Sequence, residues 1–175
     1  ILRRWRIGTA LWFVVVIGLA FVSWQATLLV FGFTLLVTRT AMMSGNWAQH
    51  AFVDATQPDN CYVNSITCIN STYNKRCFND GYHISHHWKP ARHWTEHPRE
   101  LKDHLQEYAE ADAIIFRKLD YFAIWVFLML KRYDKLADHY VTIDERQRSK
   151  EEIIELLKDR TRRIEQPELV AAGAF

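Results

Sequence analysis

The sequence predicts an all-α membrane protein, a transmembrane helical hairpin with a cytosolic helical cap, and three observations carry that prediction. Residues 7–37 contain no charged side chain, which makes a bilayer their natural solvent. The second half is rich in charge, and its apolar residues recur at helical spacing. Between the two lies a polar stretch that ends in a cluster of histidines. The regions expected are a hairpin over residues 7–43, a histidine-bearing region over 44–98, cap helices with an interfacial apolar helix over 99–148, and an amphipathic C-terminal helix over 149–166.

At 175 residues the chain has enough sequence for one ordinary domain. It opens on Ile1 and enters its apolar segment almost at once, so an upstream portion is expected. The net charge of +2 is close to balance, and no basic stripe interleaved with aromatics is present, so no nucleic-acid partner is implied. The apolar run is too long for a signal peptide, whose apolar region covers only ~7–15 residues.

As one straight helix, residues 7–37 would measure ~46 Å at ~1.5 Å per residue, well beyond a hydrocarbon core of ~30 Å. Ser23, Trp24 and Gln25 form a polar break near the middle, and Trp favours the membrane interface. Two short spans joined there return the chain to its starting side, which Arg3, Arg4 and Arg6 mark as cytoplasmic. Arg39, Asn46, Trp47 and His50 then emerge on that same face. The rival is a single long tilted helix, which places His50 opposite the arginines.

The histidine region carries the chemistry. His83, His86 and His87 stand in an H-x-x-H-H array, and on a helix the i, i+3 and i+4 positions share a face. Several imidazoles without thiolates suit iron, zinc or copper better than magnesium or calcium. Asn46 and His50 are also spaced i, i+4. A lone histidine is more often a core or surface residue than a ligand; three at this spacing are a stronger signal.

These residues, in the order of apolar hairpin, N-x-x-x-H, polar link and D-G-Y-H-x-x-H-H followed by Trp88 and Pro90, resemble the C-terminal half of the membrane fatty acid desaturase and hydroxylase superfamily, over roughly residues 6–140. The resemblance implies that His83, His86 and His87 are the last histidine box, and that His50 is a further iron ligand. It implies that Asn46 holds a metal-bound water and that Asp80 orients an imidazole from outside the ligand set. It also implies two irons in the complete site, a lipid acyl substrate, and oxygen-dependent desaturation or hydroxylation with the histidines on the cytosolic face. The compartment implied is the endoplasmic reticulum or the plasma membrane. No flavin or haem motif is evident, so an external electron donor, a haem protein or a ferredoxin type, is expected. The superfamily carries two earlier boxes, H-x-x-x-H and H-x-x-H-H, and nothing before Ile7 supplies them. The expectation is therefore a fragment, inactive as given.

His93 and His97 form H-x-x-x-H but lie between Pro90 and Pro98, so they read as a loop over the site and only as extra candidate ligands. His104 and His139 read as surface or interfacial residues. Cys61, Cys68 and Cys77 are odd in number and lack a C-x-x-C pair, which points to free thiols, with zinc at Cys77 and the histidines as the alternative. The Asn70 sequon is expected to stay unmodified on the cytosolic side. The link over residues 54–79 has no legible structure.

In the C-terminal half, residues 98–111 read as one helix with Leu101, Leu105 and Tyr108 on one face. Residues 121–130 are almost wholly apolar and flanked by basic residues, the pattern of either an interfacial helix or a buried one. Ser149 and Glu152 have capping-box spacing before Ile153, Ile154, Leu156, Leu157 and Ile164, and Pro167 is the expected stop. A competing reading is a non-catalytic membrane adaptor whose histidines are relics. A zinc hydrolase ranks below both, for want of an H-E-x-x-H helix.

Overall fold

The computed structural model describes residues 2–57, 59–143 and 146–163. The chain is mostly helical and falls into two compact units that divide between Met43 and Ser44.

The first unit holds α1 (Leu2–Val22), α2 (Trp24–Thr27), a π-helical segment (Leu28–Phe33) and the first part of α3 (Thr34–Gln49). The 21 residues of α1 span ~31 Å at ~1.5 Å per residue, close to a hydrocarbon thickness of ~30 Å. Ser23 ends α1 in an extended conformation (φ −156°, ψ 99°), and its hydroxyl accepts from the Ala26 amide to start α2. The break falls where the polar triplet predicted it. The rings of Trp12 and Phe31 lie 6.4 Å apart although 19 positions separate them, whereas one straight helix would hold them ~28 Å apart. The chain folds back here, and the single tilted helix is excluded.

Both legs are longer than the uncharged run suggested, because the arginines are drawn into them. Arg3, Arg4 and Arg6 lie within α1 and Arg39 within α3. The two helices, Leu2–Val22 and Trp24–Gln49, are long and apolar enough to cross a membrane. Large side chains such as Phe21 (89% exposed) and Leu36 (66%) have little protein around them. In water that exposure costs about 25 cal/mol per Å², and lipid removes the cost.

The second unit is helical around a minimal sheet. β1 (Thr67–Ile69) and β2 (Ile115–Arg117) pair in parallel, Thr67 opposite Ile115 and Ile69 opposite Arg117. This sheet was not expected, because strands of three residues are too short to show alternation. A parallel pair needs a long crossover, and here it contains α4 (Thr72–Arg76), α5 (His83–Trp88), a 3₁₀ turn (Trp94–Glu96), α6 (His97–Asp103) and α7 (Leu105–Glu110). The link whose structure was not legible therefore contains β1 and α4.

The single helix expected over residues 98–111 is two. His104 (φ −121°, ψ 26°) separates α6 from α7, with Nδ1 3.1 Å from the Glu100 carbonyl and its ring 4.5 Å from that of Trp88. The break turns Leu105 outward while Leu101 and Tyr108 stay buried.

α8 (Tyr121–Met129) buries Tyr121, Ile124 and Leu128 at spacings of three and four and exposes Phe122 and Met129. It is a core helix with an apolar outer face. α9 (Tyr133–Ala137) and α10 (Lys150–Arg160) follow, and α10 starts with both halves of the capping box in place. Ile153 and Leu157 join the core that holds Ala48, Phe52, Phe116 and Ile124. α10 ends at Arg160, short of Pro167, because Thr161 leaves the helical region and its hydroxyl bonds the Leu157 carbonyl at 2.9 Å. Ile164 and Pro167 lie outside the described residues.

Candidate metal centre

The site is assembled from two distant pieces of chain. His50 follows the last residue of α3, and its amide bonds Trp47 O at 3.1 Å, the tightened turn of a helix end. Its Nδ1 lies 2.8 Å from Asn64 O. A carbonyl only accepts, so Nδ1 carries the proton and the neutral ring presents Nε2 as a lone pair. On α5 the i, i+4 pair His83 and His87 share a face. His83 Nε2 is 3.2 Å from His50 Nε2 and 3.2 Å from His87 Nε2.

The ligand atoms of His50, His83 and His87 all lie within 4.8 Å of one another. Two nitrogens bound to one ion at ~2.1 Å stand about 3.0 Å apart at a right angle and about 3.4 Å apart at a tetrahedral angle. The observed 3.2 Å falls between those limits. Partial desolvation, followed by the nearby His83, His50 and His86 rings, pushes the pKa of His87 down to about 4. His87 is thus neutral, and able to ligate, over the physiological range.

The loop before α5 is fixed from several directions. Gly81 donates its amide to Asn74 Oδ1 at 3.0 Å, and Cys68 of β1 donates to Gly81 O at 2.6 Å. Tyr82 bridges Thr67 of the same strand. The buried Tyr121 hydroxyl reaches both Asp80 O (3.1 Å) and Gly81 O (3.0 Å). Asp80 receives Gln49 Nε2 at 3.0 Å and the Tyr73 hydroxyl at 2.7 Å on Oδ2. Burial raises the pKa of Asp80, but the adjacent His83 and the Tyr73 hydroxyl outweigh it and hold the group below its ordinary value.

Asp80 Oδ1 is 3.8 Å from His83 Nδ1, which is buried without a hydrogen-bond partner. At that distance the carboxylate acts through its charge, favouring the proton on Nδ1 and leaving Nε2 of the neutral ring free.

The remaining sequence candidates are placed differently. His86 is exposed, with its ring 5.5 Å from that of His83, and is not in the three-histidine group. It lines an open cleft of about 500 Å³ together with Asp80, Cys77, Arg92, His93 and His97. His93 is exposed and bonds Thr95 Oγ1 at 2.8 Å. His97 is buried and its Nδ1 is 2.8 Å from Ser85 Oγ. Asn46 is exposed on α3, one turn before His50. Cys61, Cys68 and Cys77 are free thiols. Sequence reasoning missed Gln49, Asn64, Tyr73, Asn74 and Tyr121, whose roles arise from chain neighbours 7 to 41 positions away. No local pattern marks them.

A family model for fatty acid desaturases matches residues 1–118, covering both apolar helices, His50, the box on α5 and the whole crossover. The chain belongs to the fatty acid desaturase family. Neither curated proteins nor solved structures give a significant match to it. The desaturase match stops before α8, yet α8 supplies Tyr121, which ties down the loop carrying Asp80 and Gly81. Iron, typical of this family as a pair of ions, fits the three-imidazole group by its donor chemistry: imidazole nitrogens grouped with no thiolate among them in the described residues.

Proposed function

We propose that this desaturase-family chain contributes His50, His83, His86 and His87 to a non-haem iron centre that oxidises lipid acyl chains, with desaturation as the reaction. The observation that carries the reading is the convergence of His50, just after α3, with His83 and His87 of α5: their ligand atoms lie within 4.8 Å of one another, and His83 Nε2 stands 3.2 Å from each of the other two Nε2 atoms. Bound iron supplies the oxidising power, with dioxygen, to remove hydrogen from an unactivated acyl carbon.

The chain's own residues do the positioning. Asn64 O and Asp80 set the ring tautomers of His50 and His83. Tyr73, Gln49 and Tyr121 hold Asp80 and its loop, and Asn46 stands one turn from His50, where it can hold a metal-bound water. His86, facing the open cleft, belongs to the second iron of the pair. The two apolar helices support a membrane setting, and on this reading the site works at the cytosolic face of the endoplasmic reticulum or plasma membrane, where acyl chains are the substrate at hand. On this reading the electrons come from a haem-protein or ferredoxin-type donor.

The test is iron content of the full natural chain purified in detergent, alongside His83→Ala and His86→Ala. Loss of iron in both variants, with a retained fold, is expected. Unchanged iron in His83→Ala removes the assignment.

A further inference from the structure

His97 has the spacing of a ligand relative to His93, and it shares a cleft with His86. Its environment gives it another task. Ser85 lies on α5 between the box histidines and is fully buried. Its Oγ is 2.8 Å from His97 Nδ1 and receives Arg92 Nη1 at 2.8 Å. Arg92, whose side chain is 9% exposed, also pairs with Glu100 Oε2 at 3.4 Å and lies over the Trp88 ring at 4.7 Å. Arg92 therefore grips α5 at two points one turn apart, and Glu100 is in turn held by the buried Tyr108 hydroxyl at 3.0 Å.

Arg92 can only donate, so Ser85 Oγ accepts from it. A helical serine otherwise sends its own proton to the carbonyl four residues back, which here is Gly81 O. That oxygen already takes the Cys68 amide at 2.6 Å and shares the single Tyr121 hydroxyl proton with Asp80 O, whereas among the described residues His97 Nδ1 is the one acceptor within hydrogen-bond reach of Ser85 Oγ. The Ser85 proton goes to His97 Nδ1. In the neutral ring the remaining proton is then on Nε2, and no lone pair is left to bind a metal.

We infer that His97 is a positioning residue and not a ligand: through Ser85, and with Arg92 and Glu100, it clamps α5 so that His83 and His87 face His50. This rests on the proposed metal centre for its purpose but not for its geometry, and two measurements separate them. In the metal-free chain labelled with ¹⁵N-histidine, NMR should find His97 with Nδ1 unprotonated and Nε2 protonated; a proton on Nδ1 overturns the inference whatever the site binds.

Co(II) titration followed by absorption then compares variants. His97→Asn keeps an acceptor where Nδ1 stands and should bind Co(II) within about twofold of the natural chain, with unshifted bands. His97→Leu removes the acceptor and should weaken binding about tenfold or more. If His97→Asn loses Co(II) as fully as His83→Ala, His97 is a ligand; if His97→Leu binds normally, there is no clamp. Should His97→Leu not fold, His97→Asn and the NMR assignment still decide. A natural chain that takes up no Co(II) counts against the metal centre, and the NMR result alone then judges the role of His97.

Discussion

At Gly81 a methyl group would land 2.0 Å from Asn74 Oδ1 and 2.8 Å from Cys68 O, so this position beside the histidine helix accepts no side chain. Gly81→Ala should cost about 1–3 kcal/mol, the usual range for overpacking, read as a lower urea midpoint with unchanged slope. Asp80→Asn removes the charge facing His83 Nδ1 while leaving a side chain of nearly the same shape. Iron affinity should fall about 10- to 100-fold, as for other groups that orient a ligand, and equilibrium dialysis measures it. His87 gives a pH dependence whose sign is fixed. Its folded pKa is lowered from 6.5 to about 4, so between those values the unfolded chain binds a proton that the folded chain does not. The metal-free fold should therefore lose stability as pH falls from 6.5 towards 4, and His87→Gln should flatten that part of the curve. Because His87 is exposed, solvent screening keeps the effect small.

Among the elements, α10 and α8 show two sources of helix placement. α10 begins at a reciprocal capping box, with Glu152 N bonding Ser149 Oγ at 3.2 Å and Ser149 N bonding Glu152 Oε2 at 2.7 Å. Ser149→Ala should cost about 1 kcal/mol, measured by denaturant unfolding of the second unit's signal. α8 begins at a simpler cap, the Asp120 side chain accepting from Ala123 N at 2.8 Å, and its inward face is set by the packing of Ile124 and Leu128 and by the Tyr121 hydroxyl at the Asp80–Gly81 loop. Ile124→Ala, at a fully buried position, should cost about 2–5 kcal/mol. Phe122→Ser, where the side chain is 56% exposed, should change stability by less than about 0.5 kcal/mol. The two substitutions, two positions apart within one turn, thus separate the core face from the outer one.

For the whole molecule, the three-histidine group brings the residue after α3 to α5 across 33 residues, so an ion bound there would be a cross-link present only in the folded state. Saturating iron at about 100 times its Kd should add about 2.7 kcal/mol; a thermal melt with and without a chelator reads it, and His50→Ala should abolish the difference. The sequence by itself determined what is local. The uncharged run declares two apolar helical legs, because a helix satisfies its own backbone groups in lipid, and Ser23 marks their break, although both legs extend beyond that run. The i, i+4 spacing of His83 and His87 places both on one face because helix geometry acts within a single turn, and the α10 cap follows for the same reason. Only the tertiary structure decided what depends on distant partners. It brought His50 to His83, turned His86 towards a separate cleft, broke the helix at His104 and engaged Nδ1 of His97 with Ser85 despite its ligand-like spacing. Those outcomes rest on β1, Tyr121, Arg92 and Glu100, which meet the site through packing and buried hydrogen bonds between residues far apart in the chain, and a periodicity or a spacing carries no information about such contacts.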